Sequence, residues 1–435
     1  MHLSHSLSVY KFGGASVKDA AAIRNLQAIL QRRPANQPLL VVVSAMGKTT
    51  NALEHIFHLA HTGQDYTQPL AQLRDFHLGV AEGLLPGAPR DEQGRLVCGE
   101  GAGSLHCLLQ ELGDRLATLS KGEYDRQYDQ VVSYGELLAT CIVAAAVGAR
   151  WLDVRPLIRT DHSWREARVD WPTTERNVRE QVPPLLQQGV VLTQGFLGGT
   201  ASGQTTTLGR EGSDYTAAIL AYCLGAESVT IWKDVAGLLN ADPKIFPNTV
   251  RYPEISYQET IEMAYYGASV IHPKTIKPLA VQRIPLYVKS FVEPEAEGTK
   301  IHDCKHGTLA PALILKTNQC LISFESKDLT FISEENLEVI FGALAQVRLK
   351  INLMQNSAIS FSVCTDWHEY RLRKLLEHLR EHFTIYYNTG LELYTIKNYT
   401  PEAIAQLTDG RQLLLEQRTR QTFQFVARAA AAQPA

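Results

Sequence analysis

The sequence predicts an α/β protein with a mostly parallel sheet in a three-layer αβα arrangement, followed by a smaller α+β region. Three continuous apolar runs in the first two-thirds of the chain are typical of strands buried on both faces, at residues 38–43, 189–193 and 228–232. Helical stretches lie between them, and the pattern changes after about residue 300. This order indicates two kinds of folding unit on one chain.

Length and composition limit the classes of protein that fit. The 435 residues suggest two or three domains, and 45% hydrophobic with 20% charged residues is a normal globular balance. A net charge of -3 gives no reason to expect a nucleic-acid partner. The sequence contains no run of about 18 apolar residues, so a membrane span is not expected. The N-terminus lacks signal-peptide features. Seven scattered cysteines without metal-site spacing predict reduced thiols in a cytoplasmic protein.

The first region alternates strands and helices. Residues 8–12 predict a short strand that ends at a glycine pair, and a helix with apolar positions Ile23, Leu26 and Leu30 follows, starting near Ser16 and Asp19. A second helix over residues 216–224 is ended by a glycine. Ligands of parallel sheets bind at the carboxyl ends of the strands, and the glycine-rich segments of this chain fall at those ends.

The second region predicts two sets of elements. The first has β-α-β-β-α-β-like order, with an antiparallel sheet expected: strand 320–324, helix 334–346, strand 359–363, helix 368–382 and strand 384–387. The second, shorter set spans residues 391–426 and has a strand, a helix over 401–407 and two strands around the Asp409-Gly410 turn signal. Residues 427–435 predict a frayed tail. The predicted domains are therefore 1–303, 304–390 and 391–435.

The segment Lys11-Phe12-Gly13-Gly14 is the first candidate site. Glycines after a strand let backbone N–H groups approach a phosphate closely, and Lys11 at the strand end can reach the same phosphate. A plain strand-to-helix turn explains the segment about equally well.

The segment Gly47-Lys48-Thr49-Thr50 resembles the end of a P-loop, but Val42 stands where that motif needs its first glycine, so a P-loop is rejected. Ser44, Ala45 and Thr50 are instead candidates for hydroxyl and backbone donors that face a substrate, although capping is the commoner role for such residues.

Glycines and hydroxyl residues are dense in residues 195–200 and 205–214, as in an anion-binding loop. Arg210 offers a guanidinium fork that matches a carboxylate. Asp214 opens the next helix, where its alternative role is that of a first-turn acid. A flexible surface loop is the alternative for the whole segment.

Residues 232–244 begin at a strand end and carry two lysines, Lys233 and Lys244, with Asp234 and Asp242 between them. Two lysines near one site suit a nucleotide polyphosphate. Taken alone, the segment would more often be a solvated loop.

Together these motifs resemble the aspartate kinases of the amino-acid kinase superfamily. The resemblance covers roughly residues 9–301, with its motifs in order: 11–17, 43–45, 133–138, 159–160, 193–196, 205–215, 232–237 and 267–273. It implies transfer of the γ-phosphoryl group of ATP, with Mg²⁺, to the side-chain carboxylate of L-aspartate. The product would be 4-phospho-L-aspartate, in the first step of lysine, threonine and methionine biosynthesis.

The resemblance also implies roles for residues. Lys11, Gly13 and Gly14 would hold the transferred phosphoryl group. The aspartate site would consist of Ser44, Ala45, Thr50, Glu136 for the ammonium group, and Arg210 for a carboxylate. Asp214 would orient the catalytic lysines and the substrate, and the nucleotide site would include Lys233, Asp234, Asp242 and Lys244. Because a carboxylate is already nucleophilic, catalysis would rest on positioning and charge neutralisation.

Two departures from the family pattern concern charge. Ser269 occupies a place where many relatives have lysine, and Lys233 occupies a place where many have threonine. We therefore expect the catalytic cation to have moved to Lys233, and Lys233 is predicted to be catalytic together with Lys11 and Asp214. Residues 162–165 also depart from the family pattern, which weakens any assignment of that loop to substrate contact.

The C-terminal region resembles the ACT regulatory domains of this family. Candidate residues for an amino-acid effector, lysine or threonine, are Ser333, Asn352, Gln355 and Asn356. Asn352 replaces an aspartate common in such sites and the second unit is short, so a homodimer with weak or absent lysine inhibition is expected.

Two alternatives stay open from the sequence. One is a sister kinase acting on another carboxylate, such as glutamate. The other is a catalytically dead amino-acid sensor. Ser269 favours this reading, and the retained residues Lys11, Glu136, Arg210 and Asp214 oppose it.

Overall fold

The computed structural model describes residues 7–34, 37–92, 94–99, 104–119, 122–268, 271–305, 309–328 and 330–428. These residues form two compact units. The first unit contains residues 7–238, 251–261 and 271–305, and the second contains residues 239–250, 262–268 and 309–428.

The first unit contains the alternating strands and helices. Its strands are β1 Ser8–Phe12, β2 Leu39–Val43, β3 Arg150–Leu152, β4 Val191–Gln194, β5 Leu197–Gly199, β6 Thr205–Thr207, β7 Ser228–Lys233, β8 Glu254–Ser256, β9 Leu286–Ser290 and β10 Thr299–His302. Its helices are α1 Ala20–Gln31, α2 Thr49–His61, α3 Thr67–Leu84, α4 Leu105–Ala117, α5 Tyr124–Val132, α6 Tyr134–Val147, α7 Trp171–Gln181, α8 Pro183–Leu186, α9 Gly212–Leu224, α10 Tyr257–Tyr266 and α11 Pro273–Gln282. Helix α10 starts in the first unit and ends in the second.

Eight of these strands form one sheet, in the order β3-β4-β2-β1-β7-β9-β10-β8. Neighbours pair in parallel except β9 and β10, which are antiparallel. All five residues of β2 are buried, as expected for a strand covered on both faces. The mostly parallel sheet predicted from the apolar runs is therefore confirmed.

The register of the central strands determines where a site can form. Phe12 at the end of β1 lies level with Val43 of β2 and with Trp232 of β7. The residues that follow these three strands therefore meet at one edge of the sheet, where parallel sheets bind ligands. Asp19 caps α1 by accepting a hydrogen bond from the Ala22 N–H, so α1 begins directly after it. Ser16, the other residue of the predicted start signal, lies in a short 3-10 helix, Gly14–Val17, and does not cap α1.

Residues 124–147, which include α5 and α6, are long and apolar enough to cross a membrane by length and composition alone. Within their most apolar window, 78% of the residues are buried inside the protein. A core helix of a globular protein has the same length and composition, so the segment is weak evidence for a membrane span.

The second unit forms one antiparallel sheet. Its elements are β11 Ala312–Ser326, α12 Glu334–Gln346, β12 Ile351–Asn356, β13 Ser360–Asp366, α13 Glu369–Leu379, β14 Phe383–Lys397, α14 Pro401–Thr408, β15 Leu413–Arg418 and β16 Thr422–Arg428. The sheet order is β12-β13-β11-β14-β16-β15. The predicted β-α-β-β-α-β order is confirmed for β11 to β14, although strand β12 was not among the elements located from the sequence.

Strand β14 continues through residues 390–391, where the sequence suggested a break. It pairs with β11 along almost all of its length and with β16 along its second half. Leu391 and Leu393 are buried in this pairing, so the burial of apolar side chains outweighs the glycine at position 390, which has φ +67°. The two predicted sets of elements therefore share one sheet.

Two local predictions about the C-terminus were wrong. The Asp409-Gly410 turn joins α14 to β15, whereas the hairpin between β15 and β16 turns at residues 419–421. A turn signal marks a reversal of the chain but does not tell which elements it joins. Strand β16 also extends to Arg428, because its last residues pair with β14. Residues 429–435 of the predicted tail lie outside the described residues.

Two segments that precede residue 303 pack with the second unit. In residues 239–250, the Asn240 side chain donates a hydrogen bond to the Pro311 carbonyl, and the Leu313 N–H donates to the Asn240 carbonyl. In residues 262–268, Glu262 contacts the Lys397 ammonium group at 2.7 Å. The domain boundaries predicted at residues 303 and 390 place both segments in the first domain, whereas in the structure they belong to the second unit.

Candidate active site

A cavity of about 330 Å³ lies at the carboxyl edge of the central strands. The residues that line it are Lys11, Gly14, Ser44, Ala45, Gly47, Thr50, Glu136, Phe196, Gly209, Glu211, Gly212, Ser213, Asp214 and Lys233. All of them belong to the first unit. The cavity therefore collects residues from six regions of the sequence that the sheet brings to one edge.

Two lysines share one buried aspartate in this cavity. Lys11, on β1, places its Nζ 2.6 Å from Oδ1 of Asp214, and Lys233, at the end of β7, places its Nζ 3.7 Å from Oδ2. Asp214 is only 2% exposed. Burial alone would raise the pKa of Asp214, but the ammonium groups of Lys11 and Lys233 outweigh it and hold that pKa below the usual range of aspartate. Lys11, Lys233 and Asp214 thus form a positively charged cluster in which the carboxylate holds both ammonium groups in place.

Two glycines beside this cluster allow close approach of neighbouring groups. A Cβ added to Gly13 would lie 3.4 Å from the Lys11 Nζ, and one added to Gly14 would lie 2.8 Å from the Ala45 carbonyl oxygen. The Gly47 N–H in turn donates to the Gly14 carbonyl. Gly14 therefore allows the turn after β1 to pack closely on the backbone at Ala45 and Gly47, where a side chain would collide.

Glu136 is the second unusual charge of the cavity. It lies in the first turn of α6, is 3% exposed, and its Oε1 accepts a hydrogen bond from the Ala45 N–H at 3.1 Å. Its Oε2 is buried, and no hydrogen-bond partner for it is found among the described residues. Burial raises the pKa of Glu136 to about 8, despite the Ala45 hydrogen bond and the charge of Lys11. A buried carboxyl oxygen without a partner is what a bound ammonium group would satisfy.

Most of the predicted site residues meet in this cavity. Those that line it are Lys11, Gly14, Ser44, Ala45, Thr50, Glu136, Asp214 and Lys233, and Gly13 adjoins Lys11. Arg210 and Asp234 are exposed and do not line it, although Arg210 stands between the lining residues Gly209 and Glu211. Asp242 and Lys244 are exposed residues of the segment 239–250 in the second unit, where the Lys244 N–H donates to Asp242.

Sequence analysis assigned no role to Glu211, which the structure places in the cavity wall. Its backbone is left-handed, with φ +54°, and its Oε2 accepts a hydrogen bond from the His272 N–H at 2.8 Å. Phe196 is a second lining residue with positive φ, and a Cβ added to Gly212 would lie 2.6 Å from its ring. The density of glycines in residues 195–214 marked this segment as a candidate site in the sequence. The roles of Phe196 and Glu211 in the cavity wall became visible only in the structure, where Phe196 packs closely on Gly212.

The predicted effector residues are engaged within the second unit. Ser333 caps α12 in a reciprocal pair with Asn336. Asn352 accepts a hydrogen bond from the Lys316 Nζ at 2.9 Å and donates to Gln319 and Asp366. Gln355 and Asn356 are exposed on β12. Ser269 lies outside the described residues.

The carboxylates of the cavity wall do not form a free ligand set for a metal ion. Asp214 is paired with two lysines, Glu211 accepts from a backbone N–H, and the pKa of Glu136 favours its protonated form at neutral pH. Away from the cavity, Glu254, His302 and Cys304 offer ligand atoms within 4.8 Å of one another, and His302 and Glu254 are hydrogen-bonded. A divalent ion at the cavity would therefore depend on oxygen ligands that a substrate brings.

Comparison with known proteins gives a consistent result. The model of the amino acid kinase family matches residues 6–290. Lysine-sensitive aspartokinase 3 of Escherichia coli (strain K12) is 34% identical over 365 residues, which cover 82% of this chain and 78% of that protein. The solved structure of E. coli aspartokinase III in complex with aspartate and ADP (R-state) has a TM-score of 0.79 and 29% identity, and covers 97% of this chain and 96% of that chain.

A longer relative covers the same region. Bifunctional aspartokinase/homoserine dehydrogenase 1, chloroplastic, of Zea mays is 30% identical over 374 residues, which cover 82% of this chain but 39% of the maize protein. The residues matched by the family model include every residue that lines the cavity. The chain therefore belongs to the amino acid kinase family, among its aspartokinases.

Proposed function

We propose that the cavity transfers the γ-phosphoryl group of ATP to the side-chain carboxylate of L-aspartate, giving 4-phospho-L-aspartate. The observation that carries this proposal is the pair of ammonium groups, on Lys11 and Lys233, that shares the carboxylate of Asp214. Phosphoryl transfer spreads negative charge over the equatorial oxygens of the transferred group. Two cations already held in place stabilise that charge without reorganisation during the reaction.

The acceptor site follows from Glu136. Its partnerless Oε2 would receive the ammonium group of aspartate, next to the Ser44, Ala45 and Thr50 wall of the cavity. Arg210, at the rim, would bind a carboxylate of the substrate through its guanidinium fork. The similar E. coli aspartokinase III was solved in complex with aspartate, which supports this choice of substrate. A substrate carboxylate needs no general base, so these contacts act by orienting it in line with the phosphoryl group.

The nucleotide would lie with its terminal phosphates against Lys11, Gly13, Gly14 and Lys233. We assign Asp234, Asp242 and Lys244 to nucleotide binding from the family resemblance. Because the cavity offers no free carboxylate set, Mg²⁺ would arrive on the phosphates of ATP as part of the substrate. The same E. coli structure also holds ADP, which supports ATP as the donor.

The proposal is tested by measuring ADP release with aspartate and, in parallel, with glutamate. Turnover with aspartate and little with glutamate is expected. Release with glutamate alone would favour a sister kinase, and no release with any carboxylate acceptor would favour an amino-acid sensor.

Arg210→Ala tests the orientation of the substrate. Arg210 is exposed, so the loss of its charge-assisted hydrogen bonds to a substrate carboxylate should cost about 1.5–3 kcal/mol. The KM for aspartate should therefore rise while that for ATP changes far less. The matched control is Arg168→Ala, which removes an exposed arginine that does not line the cavity. Wild-type aspartate kinetics in Arg210→Ala would contradict the assigned role.

We further propose a cytoplasmic homodimer whose inhibition by lysine is weak or absent and which acts in the synthesis of lysine, threonine and methionine. The name of the lysine-sensitive E. coli relative supports an amino-acid effector of this class. In this chain, however, the Asn352 amide is neutral and already bonded to Lys316, Gln319 and Asp366, so it offers less to a lysine ammonium group than a free carboxylate would. Light scattering that gives the mass of a monomer would contradict the dimer.

A further inference from the structure

Two cysteines that are far apart in the sequence meet inside the first unit. Cys98 lies before α4 and Cys141 lies within α6, and their Sγ atoms are 3.8 Å apart. The residues are 1% and 2% exposed. Each thiol also lies near the main chain of the other residue. The Cys141 Sγ is 3.3 Å from the Cys98 carbonyl oxygen, and the Cys98 Sγ is 3.8 Å from the Cys141 carbonyl oxygen. Facing thiols on backbones this close can be bridged with a small movement.

A cavity of about 730 Å³ lies beside this pair. Cys141 lines it, as do Val97 and Gly99, the residues on either side of Cys98. Ala144, Ala145 and Trp151 contribute apolar wall. The cavity gives a small uncharged molecule space beside Cys141 and next to the chain neighbours of Cys98, although neither thiol is exposed at the protein surface.

We propose that Cys98 and Cys141 form a redox-sensitive pair, which a peroxide converts into an intramolecular disulfide. The hydrogen bond from Cys141 lowers the pKa of Cys98, while the same interaction and burial raise that of Cys141. Cys98 is therefore the thiolate that attacks, and Cys141 is the resolving thiol.

The reaction balances with one peroxide. The Cys98 sulfur attacks one oxygen of hydrogen peroxide, so that an S–O bond forms, the O–O bond breaks and the other oxygen leaves as water, leaving a sulfenic acid. The Cys141 sulfur then attacks the Cys98 sulfur, so that the S–S bond forms, the S–O bond breaks and a second water leaves with the thiol proton. Two thiols and one peroxide give one disulfide and two waters, and a dithiol reductant reverses the result.

The disulfide would act on the active site through α6. The two sulfur atoms must approach by about 1.8 Å to reach bonding distance. Cys141 is on the same helix as Glu136, whose carboxyl group contacts the Ala45 N–H in the cavity wall. This part of the inference rests on the proposed function, because it assigns Glu136 to the aspartate ammonium group. A shift of α6 should therefore change the KM for aspartate more than that for ATP.

The first test maps the bond itself and does not depend on activity. The full-length protein is treated with hydrogen peroxide under native conditions, its remaining thiols are alkylated, and its peptides are mapped by mass spectrometry with and without prior reduction. We expect a linked peptide pair containing Cys98 and Cys141, which reduction separates and which Cys141→Ser lacks. The matched control, Cys107→Ser, removes an exposed thiol and should retain the linked pair. Oxidation of Cys107 in the wild type with both buried thiols still alkylatable after unfolding would overturn the proposal.

The second test compares the oxidised and reduced protein in the ADP-release assay. Since a misplacement of about 1 Å can cost on the order of 100-fold, the oxidised protein should lose roughly 10- to 100-fold in kcat/KM for aspartate, and reduction should restore it. A mapped disulfide with unchanged aspartate kinetics would overturn the coupling through α6. If reduced protein has no activity with aspartate, the proposed function fails, and the mapped peptides alone decide on the disulfide.

Discussion

Lysines whose ammonium groups contact carboxylates occur in both units of the chain, but their surroundings differ. In the first unit, Lys11 and Lys233 share the one carboxylate of Asp214, in a cavity that has room for a ligand. In the second unit, Lys397 is 1% exposed and has Glu262 at 2.7 Å and Gln421 at 3.0 Å, packed within the protein. Positive charge is thus concentrated at an open space in one unit and is matched by neighbouring oxygens in the other.

The difference separates two uses of a buried cation. A charge that must meet a substrate has to be held in place without being fully neutralised, which is the condition for electrostatic catalysis. A charge that only stabilises a fold must be matched, because burying an uncompensated ion is costly. Substitutions in the cavity should therefore change kcat more than stability, and substitutions around Lys397 should do the reverse.

The largest effect should come from Lys233→Thr. Removing a preorganised charge-stabilising group typically lowers kcat by about 10²–10³, and the cavity position of Lys233 should give a loss on that scale with little change in Tm. Steady-state kinetics at saturating ATP and aspartate measure it, and Lys277→Thr on the exposed face of α11 is the matched control. The double change Lys233→Thr with Ser269→Lys should recover part of the rate. A Lys233→Thr variant with near-full kcat would show that the cation is dispensable.

A smaller effect is expected for Glu262→Gln, and it should concern the free energy of unfolding, not kcat. This change leaves the Lys397 charge buried without its carboxylate, and an unsatisfied buried group costs about 1–3 kcal/mol. Urea unfolding should show this loss while kcat stays close to that of the wild type.

Lys397→Met is the matched comparison for Glu262→Gln. The Glu262 side chain is 36% exposed and can turn to water when its partner is lost, so Lys397→Met should destabilise less than Glu262→Gln. The reverse order would mean that the carboxylate, not the ammonium group, is the costlier charge to leave alone.

The next effect concerns pH: the binding free energy of aspartate should change by about 1.4 kcal/mol per pH unit. Because the pKa of Glu136 is raised to about 8, its carboxylate is a minor form at pH 7, and binding of an ammonium group must release a proton. The KM for aspartate should therefore fall about tenfold per pH unit as pH rises towards 8, and level off above it. Glu136→Gln should bind aspartate weakly and without this slope. A KM of the wild-type protein that stays flat between about pH 6 and pH 8 would contradict the assignment.

The smallest effect is predicted for lysine itself. With Asn352 neutral and engaged, lysine and threonine added to the assay should inhibit weakly or not at all. Half-inhibition by lysine at low millimolar concentration or below would show that the second unit keeps a working effector site.

Much of the first unit could be predicted from local sequence patterns. Apolar runs predicted β2 and β7, glycine pairs marked the turns that follow strands, and the parallel sheet then brings Lys11, Asp214 and Lys233 together. This part succeeds because strand burial and strand ends are properties of short segments.

Contacts between residues far apart in the sequence could not be predicted from local sequence patterns. Cys98 and Cys141 have no spacing signature, and only the packing of α6 brings them into contact. The exposure of Arg210 also had no signal, since its position in the sequence between Gly209 and Glu211 does not tell which way its side chain points. Long-range packing decides both features, and periodicity carries no information about it.

The unbroken path of β14 limits how this protein can change during evolution. A chain shortened after residue 390 would lose the half of β14 that pairs with residues 312–316 of β11, and would leave an exposed strand edge prone to aggregation. The last 45 residues therefore cannot be discarded as a separate module, because they carry half of β14 and both of the strands beyond it. Substitution of single residues, rather than deletion, is the route by which this unit could change without losing its sheet.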